Sequence, residues 1–183
     1  MKTKKIYISI LFFILFFIIH AQQKSININT SKIKWTGKEV TTKSHYGSLK
    51  FQSGDLIISN GLISGGEFVV DMQSLIVEDL TGGSKEYLEN HLKSDDFFDV
   101  EKYSKASLKI ISAKMQKEGH QKVKGNLTIK DITNPISFDM FINENSSKAD
   151  LIFDRSKFNV KHRSSSFFSN LGDKLIYDDI ELE

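Results

Sequence analysis

The sequence of 183 residues contains no cysteine and only one proline, Pro135. Without cysteine, the chain folds without disulfide bonds and cannot carry a lipid on an N-terminal cysteine. No proline-rich linker, low-complexity stretch or internal repeat divides it, so we expect one domain. A chain of this length buries roughly 70% of its unfolded surface in a single core, which makes disulfide bonds unnecessary.

The sequence also lacks the motifs of common catalytic and metal sites. No His-x-His, His-Glu-x-x-His or Gly-x-Ser-x-Gly element occurs, and Asp178-Asp179 does not follow the calcium-loop pattern. The acidic residues between Asp95 and Glu101 lie in an open segment that is typical of a solvated surface. We therefore expect a protein that is not an enzyme and that needs no cofactor and no metal ion.

The first residues have the composition of a cleavable signal peptide. Lys2, Lys4 and Lys5 precede a largely apolar run over residues 6–19, and Ala21 supplies a small residue at a cleavage point. This run is shorter than the about 20 residues of a membrane-spanning helix. We predict a signal peptide over residues 1–21 and a mature domain over 22–183, in the periplasm or secreted. An uncleaved N-terminal anchor is the alternative.

Charge offers no reason for the mature chain to bind nucleic acid. The whole chain has 25 basic and 23 acidic residues, and the leader contains three of the lysines, which leaves 22 basic residues. Nucleic-acid binding requires a concentrated basic face. The nearly neutral mature chain therefore predicts no nucleic-acid partner.

Alternation of apolar and polar residues recurs along the mature chain and predicts antiparallel β-strands with one apolar and one wet face. It is clearest over residues 33–36, 48–52, 126–130, 136–142, 149–153 and 176–182. About eight strands, mostly sequential neighbours, avoid exposed edges most simply by closing into a barrel. The pattern predicts a mainly β fold, an antiparallel eight-stranded barrel.

Glycine and asparagine mark the breaks between the predicted strands. Asn60-Gly61 is the strongest hairpin signal, because a type I′ turn needs two residues with positive φ. Gly65-Gly66 predicts a bulge, and a similar slip between Ile110 and Met115 predicts a second one. Further turns are predicted at Glu118-Gly119 and Asn134-Pro135.

One segment breaks the β pattern. A helix is predicted over Lys85 to Lys93 with Ser84 as N-cap, and Tyr87, Leu88, His91 and Leu92 form its apolar stripe. Phe97 and Phe98 follow among acids, and leaving both rings in water forgoes about 1.5–3 kcal/mol each. We expect the helix to flank the barrel, with both phenylalanines on apolar surface and the acids in water.

Six motifs, in order along nearly the whole mature chain, resemble the YceI-like family. They are Trp35-Thr36-Gly37-Lys38, His45-Tyr46-Gly47, the run 65–72 (GGEFVVDM), the run 91–100 (HLKSDDFFDV), the run 125–133 (GNLTIKDIT) and the run 154–160 (DRSKFNV). The resemblance implies an extended lipocalin-like barrel, often exported, that holds a long isoprenoid or other amphiphilic lipid in its lumen.

This resemblance and the strand pattern predict the residues that contact a bound lipid. They are mainly inward-facing aromatic and aliphatic side chains, which suit a preformed apolar pocket: Trp35, His45, Leu49, Phe51, Phe68, Leu92, Phe97, Phe98, Phe138, Phe153 and Arg155. The predicted partner is a long-chain isoprenoid or fatty lipid. The alternative is an exported structural or partner-binding domain with a solid core, whose helix docks a partner such as a second copy of the chain.

The alternation predicts that three polar residues point to the same side of their strands as the apolar residues. Burying a polar side chain there costs free energy unless it has a partner. His45, Arg155 and Asp178 lie near strand ends, where they would ring the mouth of the barrel. There a histidine and an arginine can meet an anionic or hydroxyl head group. An internal pair between Arg155 and Asp178 is the alternative, because buried charges are normally paired.

The other histidines and one aromatic pair have simpler interpretations. His91 is expected to be a hydrogen-bonded, partly buried residue of the helix, His120 a solvated turn residue, and His162 part of a flexible basic loop. Phe167-Phe168 is predicted to be an apolar flap over the barrel entrance or a tip that transiently touches a membrane surface.

Overall fold

The structure is a computed structural model that describes residues 21–183, so the predicted leader lies outside the described residues except for Ala21. The described chain forms nine strands and one α-helix: β1 (Ala21–Ser25), β2 (Ile33–Lys38), β3 (Ser44–Ser59), β4 (Leu62–Val77), α1 (Gly82–Lys93), β5 (Lys105–Lys117), β6 (His120–Ile129), β7 (Ile132–Ile142), β8 (Ser147–Asp154) and β9 (Asp179–Leu182). Short 3₁₀ turns occupy Arg155–Phe158 and Gly172–Lys174. No helix of this part of the chain is long and apolar enough to cross a membrane.

Strands β2 to β9 form a closed antiparallel barrel. The sheet runs β3-β2-β9-β8-β7-β6-β5-β4, and the pairing of β3 with β4 closes it. β1 and β2 pair with different halves of the same edge of β3, β1 with Asp55–Ser59 and β2 with Ser44–Leu49. They therefore act as one strand that the loop over 26–32 interrupts. The predicted eight-stranded barrel with one flanking helix is confirmed.

The two ends of the barrel differ because of the connections they carry. At one end, here called the helix end, α1 and residues 155–178 follow β4 and β8. The opposite end, here called the hairpin end, carries the β3–β4, β5–β6 and β7–β8 turns and the 26–32 loop. Both β3 and β4 have 16 residues, against about 5–6 in a typical strand. The barrel is tall.

Most of the turns and bulges follow the glycine pattern. Asn60 and Gly61 have φ of 51° and 76°, as a type I′ turn requires. The β3–β4 register shifts between Ile57 and Ile58, opposite Gly65, and the β5–β6 register shifts between Ile110 and Ser112. The hairpin and both bulges predicted from the sequence are confirmed.

The predicted turn at Asn134-Pro135 is wrong. Both residues lie inside β7, and the turn falls at Lys130 and Asp131, whose φ values are 51° and 58°. β7 pairs with β8 only from Asp139 onward, so β7 is an edge at Pro135 on that side. A proline without an N–H is tolerated at such an edge position.

The helix differs from its prediction at its first turn. It begins at Gly82 rather than Lys85, and Thr81, not Ser84, is the N-cap residue, without a side-chain hydrogen bond. The first N–H groups of a helix have no intrahelical acceptor, and because this first turn is exposed, water can take the place of a capping side chain. Leu92 is buried and Leu88 half-buried, but Tyr87 is 73% exposed and does not belong to the packed stripe.

Candidate functional site

The barrel encloses a cavity of about 920 Å³. Because strand residues alternate between the two faces of the sheet, the inward set of each strand supplies its lining. Every residue predicted to contact a lipid borders this cavity: Trp35, His45, Leu49, Phe51, Phe68, Leu92, Phe97, Phe98, Phe138, Phe153 and Arg155. The barrel interior is therefore hollow, whereas the solid-core alternative requires it to be filled. Whether each residue contacts a ligand stays a prediction.

Several lining positions were missed from the sequence. Met140 and Leu151 lie two residues from Phe138 and Phe153 on the same strands, and Met72 and Leu127 border the same cavity. Strand parity already contained the signal for Met140 and Leu151. The predicted set consists mainly of aromatic side chains, although an apolar lining uses aliphatic ones as well.

The double phenylalanine closes the lumen at the helix end. Phe97 is 6% exposed and Phe98 is half-buried, while the flanking Asp95 and Asp96 are exposed. The backbone holds this turn in place, because the N–H of Phe98 donates to the Leu92 carbonyl at 3.2 Å. Lys130 Nζ donates to the Phe97 carbonyl at 2.9 Å. The predicted orientation of the phenylalanines and of these two acids is confirmed, whereas Asp99, which was also expected in water, is half-buried.

Arg155 borders the cavity, but its side chain is fully buried. Its guanidinium donates to the main-chain carbonyls of Tyr177, Val160 and Ile176 at 3.0–3.2 Å. Burial lowers the pKa of Arg155, while the nearby Asp178 and Asp154 carboxylates counter that effect. This arginine ties the beginning of the 155–178 segment to its end and is not part of an open mouth.

The pair between Arg155 and Asp178 that the sequence left open is present. Arg155 Nη2 lies 3.3 Å from Asp178 Oδ1. The other carboxylate oxygen of Asp178 accepts from the hydroxyls of Ser164 and Ser166 at 2.9 and 2.7 Å. Because a buried charge needs a partner, this pairing explains why both residues occur at positions that alternate in step with the apolar side chains.

His45 lies at the start of β3, half-buried at the helix end of the cavity. Its Nδ1 is 2.7 Å from Asp79 Oδ2, and the other Asp79 oxygen accepts from the Tyr46 N–H at 3.0 Å. Burial raises the pKa of Asp79, but the Tyr46 hydrogen bond and the His45 ring together lower it below its ordinary value of 3.8. Asp79 therefore orients the His45 ring, a partner that the sequence did not predict.

The hairpin end of the cavity has a polar rim. It is formed by exposed residues of the 26–32 loop, the β7–β8 hairpin and the C-terminal Glu183. Asn27 and Asn143 shape these loops, because each side-chain oxygen accepts from a main-chain N–H two residues later. The charged residues of the lining lie on loops and strand ends, so the middle of the lumen is apolar.

The closed antiparallel strands surround an apolar lumen with polar ends. The protein is therefore one of the β-barrels that enclose a cavity. The chain belongs to the YceI-like family, because the model of the YceI-like domain matches residues 25–183. The family resemblance found in the sequence is thus confirmed. Comparison with curated proteins gives no match.

Solved structures with this fold share little sequence with the chain. Burkholderia cenocepacia BcnA is 16% identical with a TM-score of 0.66, over 86% of this chain and 95% of that chain. A polyisoprenoid binding domain from Saccharophagus degradans, implicated in plant cell wall breakdown, is 11% identical with a TM-score of 0.57, over 89% and 95%. The Campylobacter jejuni YceI protein is 16% identical with a TM-score of 0.50, over 99% and 85%. These likenesses show the fold.

Proposed function

We propose that the protein binds a long-chain isoprenoid or other amphiphilic lipid in the barrel lumen, outside the cytoplasm. The observation that carries this proposal is the cavity of about 920 Å³ with its apolar middle. Burying apolar surface contributes roughly 25 cal/mol per Å², so a long hydrocarbon chain gains most from such a lining.

The shape of the lumen favours a slender ligand over a compact one. Pockets for small molecules measure about 300–1,000 Å³, and this cavity lies near the upper limit. It runs inside a barrel with two strands of 16 residues each. An eight-stranded barrel is only just wide enough for one ligand, so a large volume in a tall barrel suits an extended chain.

We place the tail toward the helix end and the head group at the hairpin end. Phe97 and Leu92 are buried at the helix end, and the N–H groups of Arg155 there are bonded to carbonyls. His45 at the same end is bonded to Asp79, whereas the polar side chains of the hairpin end are exposed. Lys24 and Lys32 lie among them, and they suit a phosphate, carboxylate or hydroxyl head group.

The relatives support the ligand class, and the leader supports the location. The Saccharophagus degradans neighbour is a polyisoprenoid binding domain of the same fold. The positively charged and apolar first residues, with Ala21 at the predicted cleavage point, support export to the periplasm or beyond. Binding without catalysis is the role we propose for the lumen.

Native purification followed by solvent extraction and mass spectrometry tests the proposal. We expect a long-chain lipid in the extract, and uptake of added isoprenoid by the delipidated protein. An extract without lipid, together with no uptake of isoprenoid or fatty acid, would contradict lipid binding.

A matched pair of variants shows whether the lumen is the binding site. Met140 borders the cavity and the next residue, Phe141, is exposed on the outer face of the same strand. Met140→Trp extends an indole ring into the lumen and should reduce isoprenoid uptake about tenfold or more, because the ring occupies space that the ligand needs. Phe141→Trp adds the same ring outside and should bind as the wild type does. Equal uptake by both variants would place the lipid elsewhere.

A further inference from the structure

Three potential metal ligands meet outside the lumen, at the helix end. They are His91 on α1, Asp96 in the turn that follows it, and His162 in the 155–178 segment, and one ligand atom from each lies within 4.8 Å of the other two. His91 Nε2 is 3.5 Å from Asp96 Oδ2. The His91 and His162 rings meet edge to face, with centroids 4.5 Å apart.

We propose that His91, Asp96 and His162 bind a divalent transition metal ion of the zinc type. Two imidazoles and one carboxylate are ligands that zinc prefers, and three protein ligands leave a fourth position for water or another group. In a formed tetrahedral site the ligand atoms lie about 3.4 Å apart, since each is about 2.0–2.2 Å from the ion. His91 Nε2 and Asp96 Oδ2 are already about this far apart, at 3.5 Å.

The surroundings hold the two rings and leave the site open to solvent. The Phe97 ring lies 5.1 Å from the His91 ring and 5.2 Å from the His162 ring, so both histidines pack on one apolar surface. Asp96 and His162 border a separate hollow of about 520 Å³. An ion bound by the three side chains would therefore be reached from this hollow, and not from the lumen.

The nearby charges act in both directions. Lys161 and Arg163 flank His162 in the chain, and both border the hollow together with Lys130. These three cationic side chains repel a metal ion, while the Asp95 and Asp96 carboxylates beside the same hollow attract it.

Such an ion would join two segments that are far apart in the sequence. Phe97 contacts both histidine rings on one side and borders the lumen on the other. Metal binding would therefore fix the cover over the helix end of the barrel. The site does not depend on lipid binding, since none of its three ligands borders the lumen.

Calorimetric titration of zinc chloride into the untagged, chelator-treated protein tests the site. We expect one zinc ion per chain. His91→Gln and His162→Gln should each weaken binding by more than about tenfold, since losing even an outer hydrogen-bond partner of a ligand costs 10–100-fold. His120→Gln, at the start of β6 on the hairpin end, is the matched control and should bind zinc as the wild type does.

Asp96→Asn separates loss of the site from loss of the fold. This side chain is 66% exposed, so its replacement leaves the packing intact. Zinc should raise the thermal midpoint of the wild type and of His120→Gln, and should raise it less in Asp96→Asn. The proposal is overturned if the wild type binds no zinc, or if the double variant His91→Gln/His162→Gln binds zinc with unchanged affinity.

Discussion

At the scale of single residues, Gly47 shows how tightly the barrel wall is built. A Cβ atom at this position would lie 1.8 Å from the Ile76 carbonyl oxygen and 2.9 Å from the Trp35 ring. The same carbonyl accepts a hydrogen bond from Trp35 Nε1 at 3.2 Å. The glycine therefore lets β3 pass close to β4 while the tryptophan closes the contact from inside.

We predict that Gly47→Ala lowers the free energy of unfolding by about 1–3 kcal/mol or more, since the clash involves backbone and cannot be relieved by a rotamer change. Urea denaturation measures the loss. Gly83→Ala is the control, because a Cβ there meets nothing within 4 Å. A helical alanine should leave stability unchanged or raise it slightly. Equal stability of the two variants would refute the close approach at Gly47.

The Asp79 carboxylate predicts an acid-sensitive contribution to stability. Its pKa is lowered below 3.8 in the fold, so its stabilising contribution is present above pH 3.8 and is lost as the pH falls through the folded value. The difference in unfolding free energy between wild type and Asp79→Asn should therefore be larger at pH 7 than at pH 3. Urea denaturation at both pH values checks this, and a difference that does not change with pH would contradict it.

At the scale of the elements, the segment over 155–178 combines a buried anchor with an exposed tip. Arg155 and Asp178 fix its two ends, whereas Phe167 and Phe168 are 42% and 50% exposed. Lys161 Nζ lies 5.2 Å from the Phe167 ring centroid. Exposed aromatics beside a lysine suit the interface of an anionic membrane.

We predict that the protein binds anionic liposomes through this tip, and that Phe167→Ser/Phe168→Ser weakens the binding about tenfold or more, since each buried ring contributes about 1.5–3 kcal/mol. Co-sedimentation measures it. Ile152→Ser, which removes an exposed apolar side chain from the outer wall of β8, is the control. Unchanged liposome binding by the double variant would argue against a membrane role for the tip.

Elements were predictable where local chemistry decides them. Asn60-Gly61 has the residues that a type I′ turn demands, whereas Lys130 adopts a positive φ before Asp131 without being typical of it. There the pairing of β6 with β7 overrides local preference. Pro135 misled the prediction because only the assembled sheet shows which edge of a strand is unpaired.

At the scale of the whole molecule, alternation and ordered motifs were sufficient to predict the barrel and much of its lining. They did not give the partners that distant segments bring together. Asp79 beside His45, and His162 beside His91, follow from barrel closure and from the path of the 155–178 segment. The polar rim could not be predicted either, because loops such as 26–32 have no repeating pattern of apolar residues that would indicate their position.

The interrupted strand formed by β1 and β2 determines where the two ends of the described chain lie, and these ends are the points at which a partner can be fused. Ala21 pairs with Ser59, beside the β3–β4 turn, and Glu183 pairs through its backbone with Lys34 near the start of β2. Both ends of the described chain thus emerge beside the cavity rim. A fusion partner joined at Ala21 or Glu183 would stand next to the opening. Immobilisation through the helix end would leave the opening facing outward.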